Sequence, residues 1–285
     1  MKICRFRIGA DAVRVGLVVE GTAICDLTPA GIATLGSLLE ADDPEALLNE
    51  VPRAQLPRHD LANVQICAPV EGQEVWAAGV TYLRSKAARM EESDFSANAY
   101  DRVYEAERPE LFFKSLPEKV VAAGEPVGIR RDAKWNVPEP ELALVLNSRD
   151  RIVGYTIGND MSSRDIEGEN LLYLPQAKIY SGSCALGPWI ALGPAESAVR
   201  EWTIELEIRR DGQMVFSGQT KVGQIKRGFE ELAGYLFRCQ SFPRGAVLLT
   251  GTGVVPPEGF TLQEQDEVGI QISGIGSLRN RVAIV

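Results

Sequence analysis

Short apolar runs bounded by turn residues recur from residue 75 onward, with one clear amphipathic helix among them at residues 228–242. Runs at 75–82, 111–116, 141–146, 152–157, 183–192 and 246–250 have strand length, while 83–92 and 97–107 are heavily charged and read as helices. Asp211-Gly212, between stretches at 202–209 and 213–219, is a strong hairpin signal, and 267–273 with 277–285 makes a closing hairpin. Strand and helix do not alternate, which argues against a doubly wound parallel sheet. The pattern predicts a strand-rich α+β fold, built as a mixed β-sandwich or roll.

In this reading residues 1–70 form a small N-terminal α/β domain and 71–285 a larger catalytic one. Strands are expected at 2–8, 13–19, 22–27 and 63–70, and short helices at 32–40 and 44–51. Asp42 and Asp43 precede the second helix, where carboxylates suit the positive end of the helix dipole. Pro52 and Pro57 mark a boundary, and His59, in Pro57-Arg58-His59-Asp60, reads as a solvated linker residue.

His59 is the sole histidine of 285 residues, which excludes multi-histidine zinc sites and the His-x-Glu deaminase signature. The five cysteines are odd in number and scattered, so they make neither a disulfide framework nor a zinc knuckle and suit a reducing cytoplasm. Thirty basic against 39 acidic residues give a net charge of −9 with no basic run, so neither nucleic acid nor an anionic membrane is an expected partner. No apolar run approaches the ~18 residues of a membrane span. Residues 1–7 carry charges inside the first apolar stretch and read as a strand rather than a signal peptide. Chemistry is therefore expected from carboxylates, lysine or a metal held by oxygen.

The most informative stretch is Trp135-Asn136-Val137-Pro138-Glu139-Pro140-Glu141, followed by an apolar run to residue 146. Prolines on both sides of Glu139 exclude helix and favour extended chain, in which residues two apart share a side. Glu139 and Glu141 thus present two carboxylates together. They are either a solvated Glu-Pro-Glu turn or, at the mouth of a buried strand, a pair that needs a basic partner, a shared proton or a cation. Asp160 closes the next apolar strand; alone it reads as a helix N-cap or turn former, but it joins the same site if the two strands pair. Three carboxylates with open positions suit Mg²⁺ or Mn²⁺. Arg164, Glu167 and Lys178 follow in what reads as a loop, one that holds an anionic substrate or simply carries surface charge. Gly251-Thr252-Gly253 is an anion nest or a tight turn. Glu110, just before an apolar strand, is an exposed glutamate or a base held at the edge of a site.

The segments RPELFFKS (108–115), WNVPEPELALVL (135–146), GYTIGNDMSSRDIEGEN (154–170), LPQAK (174–178) and GTGVVPP (251–257) resemble the fumarylacetoacetate hydrolase superfamily. The likeness runs from about residue 75 to the C-terminus. It implies that family's mixed β-sandwich roll, a divalent metal on Glu139, Glu141 and Asp160, and a small-molecule substrate that is a 2-oxo or diketo acid. Hydrolases of the family carry Asn-Tyr-x-x-His where this chain has Thr81-Tyr82-Leu83-Arg84-Ser85, so Ser85 stands in place of the water-activating histidine. The segments GVTY, PELFFK, PEPELALVL and IEGEN are most similar to the 2-keto-3-deoxy-D-arabinonate dehydratase branch. That branch implies Glu110 and Lys178 as the acid–base pair, with Arg164, Glu167, Thr252 and Ser85 as substrate-binding groups. It also implies Mg²⁺ (or Mn²⁺) as cofactor and a homo-oligomer.

The expected reaction is loss of water from a sugar-derived 2-keto-3-deoxy acid, giving an oxo-acid semialdehyde within pentose breakdown. Elimination needs no attacking nucleophile, so it tolerates the missing histidine. The alternatives are an acylpyruvate or diketo-acid C–C hydrolase and a non-catalytic protein that holds a structural cation. Ser85 weighs against the first. The unfilled coordination positions of a three-carboxylate site weigh against the second.

Overall fold

In the computed structural model, which describes residues 1–82 and 102–285, the N-terminal part supplies β1 (Lys2–Arg7), β2 (Arg14–Val19) and β3 (Ala23–Asp26), then helices α1 (Leu35–Leu39) and α2 (Pro44–Glu50), then β4 (Arg58–Asp60) and β5 (Gln65–Cys67). There follow β6 (Glu74–Gly79), β7 (Glu110–Ser115), β8 (Val127–Ile129), β9 (Asn136–Val137), β10 (Pro140–Leu146), β11 (Ile152–Asp160) and β12 (Ser162–Ser163). Two short helices, α3 (Arg164–Glu169) and α4 (Leu174–Lys178), lead to β13 (Cys184–Leu192) and α5 (Glu196–Val199). The chain continues with β14 (Thr203–Arg210), β15 (Gln213–Lys221), α6 (Phe229–Phe237), β16 (Ala246–Leu249), β17 (Glu267–Ile272) and β18 (Gly276–Ile284). The helix expected at 83–92 and residues 97–101 of that expected at 97–107 lie outside the described residues; 102–105 are helical. Among the described residues no helix is long and apolar enough to cross a membrane.

Eleven strands form one sheet in the order β4-β3-β2-β1-β13-β11-β10-β16-β6-β7, with β5 also paired to β1; five more form a second sheet, β15-β14-β17-β18-β8. Pairing is antiparallel except between β16 and β6 and between β18 and β8. The strand-rich, mixed architecture read from the sequence is therefore present. The main core lies between the sheets, where Leu142, Leu144 and Ile157 meet Ile204, Leu206, Ile270 and Leu278. Each such side chain contributes about 1.5–3 kcal/mol when fully buried. β10 is buried along its whole length, which is why its sequence is a continuous apolar run rather than an alternating one. A second apolar cluster, including Ala143, Cys184, Leu186 and Leu249, underlies the opposite face of the large sheet.

The local predictions hold with instructive differences. Asp43 caps α2, accepting from the backbone N–H groups of Glu45 and Ala46 at 3.0 and 2.9 Å. Helix α6 buries Phe229, Leu232, Ala233 and Leu236, the expected apolar stripe, but ends at Phe237 rather than at 242. Pro243 disfavours helical geometry in its predecessor, and nothing apolar at 238–241 compensates. His59 is no linker residue. It lies in β4, opposite Ile24 of β3, with its side chain 25% exposed and its ring 5.7 Å from that of Phe6. Pro57 precedes this edge strand, a place where a missing N–H is tolerated, and its carbonyl still accepts from Asp26 N–H at 2.9 Å.

Candidate active site

Antiparallel pairing of β10 with β11 sets Glu141 opposite Gly158, and Asp160 N–H donates to Glu139 O at 2.9 Å. Directly opposed and alternate residues share a face, so Glu139, Glu141 and Asp160 leave the same side of the sheet. One carboxylate oxygen from each lies within 4.8 Å of the others, and all three side chains are buried. The solvated-turn and N-cap readings are thereby excluded: Asp160 is the last residue of a strand.

Three buried cations face these carboxylates. Lys178 Nζ donates to Glu139 Oε2 at 2.7 Å, Asp160 Oδ2 at 2.8 Å and Ser162 Oγ at 2.6 Å. Arg164 Nη2 donates to Glu139 Oε1 at 2.6 Å. Lys114 Nζ pairs with Asp160 Oδ1 at 2.5 Å. The segment expected to be a loop is instead the two helices α3 and α4, the second opening on Pro175, a residue suited to a first helical turn. This local folding turns Arg164 and Lys178 inward, at 1% and 0% exposure, rather than leaving them as surface charges.

Among the described residues no cation pairs with Glu141, which accepts instead from Gly251 N–H at 2.6 Å. The Gly251-Thr252-Gly253 turn thus turns one N–H onto the chain's own carboxylate. Gly251 has φ +92° and lies against Thr81, so a side chain there meets both strain and a clash. Burial pushes the Glu141 carboxyl well above its ordinary 4.5, reinforced by the Asp160 and Glu139 charges and opposed by Lys178 and the Gly251 N–H. A carboxyl with a folded pKa above its unfolded one adds stability below the unfolded value and loses it as pH rises through the folded value. Chelated protein is therefore expected to lose melting temperature relative to Glu141→Gln as pH rises from below 4.5. Thermal melts in EDTA across that range check the sign.

Of the remaining candidates, Glu110 opens β7 directly opposite Gly79, and a Cβ at Gly79 would overlap the Glu110 carboxylate. Glu167 is buried on α3 one turn from Arg164. Thr252 is buried, its hydroxyl donating to Val254 O at 3.0 Å. Ser85 lies outside the described residues. Sequence reasoning missed Lys114, Ser162 and the Gly251 N–H as parts of the site. A signal existed for Lys114: it follows the apolar run Leu111–Phe113 within one strand, and a lysine so placed is buried only if paired.

The donor set is all oxygen and triply anionic, which fits a hard divalent cation that keeps positions for water or substrate. Residues 74–283 match the fumarylacetoacetate (FAA) hydrolase C-terminal family. The chain belongs to the fumarylacetoacetate hydrolase family. Within this family it is 48% identical over 217 residues to a probable 2-keto-3-deoxyxylonate dehydratase of Haloferax volcanii, covering 76% of this chain and 74% of that protein. It is 41% identical over 226 residues to a 2-dehydro-3-deoxy-D-arabinonate dehydratase of Saccharolobus solfataricus, covering 78% and 76%. A solved 2-keto-3-deoxy-D-arabinonate dehydratase complexed with magnesium and 2,5-dioxopentanoate superposes with a TM-score of 0.80 at 32% identity, over 100% of this chain and 99% of that one. The family resemblance and the fold it implied both stand.

Proposed function

We propose that this chain is a metal-dependent dehydratase of a 2-keto-3-deoxy sugar acid such as 2-keto-3-deoxy-D-arabinonate, with Mg²⁺ or Mn²⁺ on Glu139, Glu141 and Asp160. The observation that carries the reading is the buried three-carboxylate set with Lys178 bonded into it. The dehydratase names of relatives at 48% and 41% identity support it. A divalent cation in this set supplies Lewis acidity to a bound 2-oxo group, which makes the C3 protons acidic. Glu110 takes a C3 proton. Lys178 steadies the oxyanion, and the neutral Ser162 hydroxyl is a partner that a developing negative charge can replace. Arg164, Glu167, Thr252 and Ser85 take the remaining polar groups of the substrate. Departure of the C4 hydroxyl with a proton leaves a C3–C4 unsaturated 2-oxo acid; a hydrogen then moves from C5 to C3 to give a C4–C5 enol, and the enol O–H proton moves to C4 to give the semialdehyde, for a net loss of one water.

The division at residue 70 is supported by a family match that starts at 74. The five cysteines are all free, which supports a reducing cytoplasm. A role in breakdown of pentose-derived acids follows from the substrate class. The deciding experiment is product analysis by NMR after incubation of 2-keto-3-deoxy-D-arabinonate with the protein and Mg²⁺. The expected product is 2,5-dioxopentanoate; fragments from C–C cleavage overturn the reading.

A further inference from the structure

Lys114 lies in the apolar strand β7 and is 0% exposed. The strand is irregular at this point: Val75 of β6 lies opposite Ser115 and Trp76 opposite Phe113, so Lys114 faces no residue of β6. Such a bulge re-aims one side chain out of the regular alternation. The re-aimed ammonium meets three oxygens, two backbone carbonyls and one carboxylate. It makes an ion pair with Asp160 Oδ1 at 2.5 Å and donates to Met161 O at 3.0 Å and to Lys178 O at 2.5 Å. Fully buried and held by the site's own scaffold, Lys114 is placed to position its neighbours. Its acceptors come from the end of β11 and the end of α4, two separate segments that carry a metal-ligand carboxylate and the proton-handling lysine.

We infer that Lys114 is a positioning residue that fixes both halves of the site. With Oδ1 paired to Lys114, the Asp160 carboxylate turns Oδ2 toward Lys178 Nζ, 2.8 Å away. Held at its backbone carbonyl, Lys178 is fixed at the root of its own side chain. The same cation thus sets the distance between the metal ligand and the lysine beside it. Outer-shell partners of metal ligands act in this way, and their removal typically lowers metal affinity by about 10–100-fold.

The inference rests on the metal-site reading above, so the test measures metal binding without turnover. Free Mn²⁺ is followed by EPR as it is titrated into purified protein. Wild type is expected to bind one Mn²⁺, and Lys114→Gln, which keeps a hydrogen-bond donor but not the three-fold grip, to bind about 10–100-fold more weakly. A folded Lys114→Gln with wild-type affinity overturns the inference. Tighter binding also overturns it, because the site then senses only the charge of Lys114. A wild type that binds no Mn²⁺ overturns the metal-site reading itself. Because removing one member of a buried ion pair can prevent folding, a second comparison removes both. Lys114→Met combined with Asp160→Asn is expected to bind Mn²⁺ as Asp160→Asn alone does, since Asp160 is the one metal ligand that Lys114 touches and Lys178, which it also holds, is not a ligand. A further tenfold loss in the double variant overturns the inference whatever the single variant does.

Discussion

Glu110→Gln is expected to lower turnover by roughly 10²–10⁴-fold, the usual worth of a positioned general base. Glutamine keeps the size of the side chain, so the contact with Gly79 at the start of β7 is preserved while the proton acceptor is lost. Metal and substrate should still bind, because the cation depends on Glu139, Glu141 and Asp160. Exchange of substrate C3 hydrogens with D₂O should fall in parallel with turnover. Solvent ¹⁸O separates elimination from hydrolysis: a hydrolase places label in a new product carboxylate, whereas dehydration forms none. A labelled carboxylate, together with a Glu110→Gln enzyme of normal rate, would establish the hydrolase instead.

Chelation should have the larger effect. With EDTA, activity is expected to vanish, and Mg²⁺ or Mn²⁺ to restore it. Glu139→Gln and Glu141→Gln each replace a charged oxygen donor by a neutral one within the 4.8 Å cluster. Each should weaken metal binding by more than the roughly 10–100-fold that an outer-shell loss costs. Excess Mg²⁺ should partly rescue these variants and leave Glu110→Gln unimproved. Glu139→Gln should also destabilise the fold, because it leaves Arg164 and Lys178 with weakened partners in a buried setting. Full turnover in chelated wild type would contradict the metal role.

The carboxylate set was legible because it depends on local rules. Prolines at 138 and 140 force extended chain, the period of two puts Glu139 beside Glu141, and neighbouring strands in sequence are commonly neighbours in space. The counter-charges follow no such rule. Lys114 reaches the site from β7, at the opposite edge of the β10-β16-β6-β7 run, through a bulge that alternation does not announce. Ser162 is a common residue in a two-residue strand. Arg164 and Lys178 were singled out, but their inward direction comes from α3 and α4, helices too short for a periodic signal. The same limit hid β8 and β9, whose three and two residues are strands only because distant segments pair with them. His59 was misplaced because proline was read as a break, whereas here it precedes an edge strand.

The pairing of β10 with β11 also governs where this chain tolerates a change of length. Residues 148–150, at the tip of the connecting turn, are exposed, and chain added there leaves both strands where they are. A single residue deleted from 142–146 would turn Glu139 and Glu141 to the other face of the sheet. That face carries Leu142 and Leu144 into the core between the two sheets, so two acids would enter a dry interior and the metal set would be lost together with the packing. Relatives that keep this chemistry are therefore free to vary in length at the turn, and bound to keep their count along the strands.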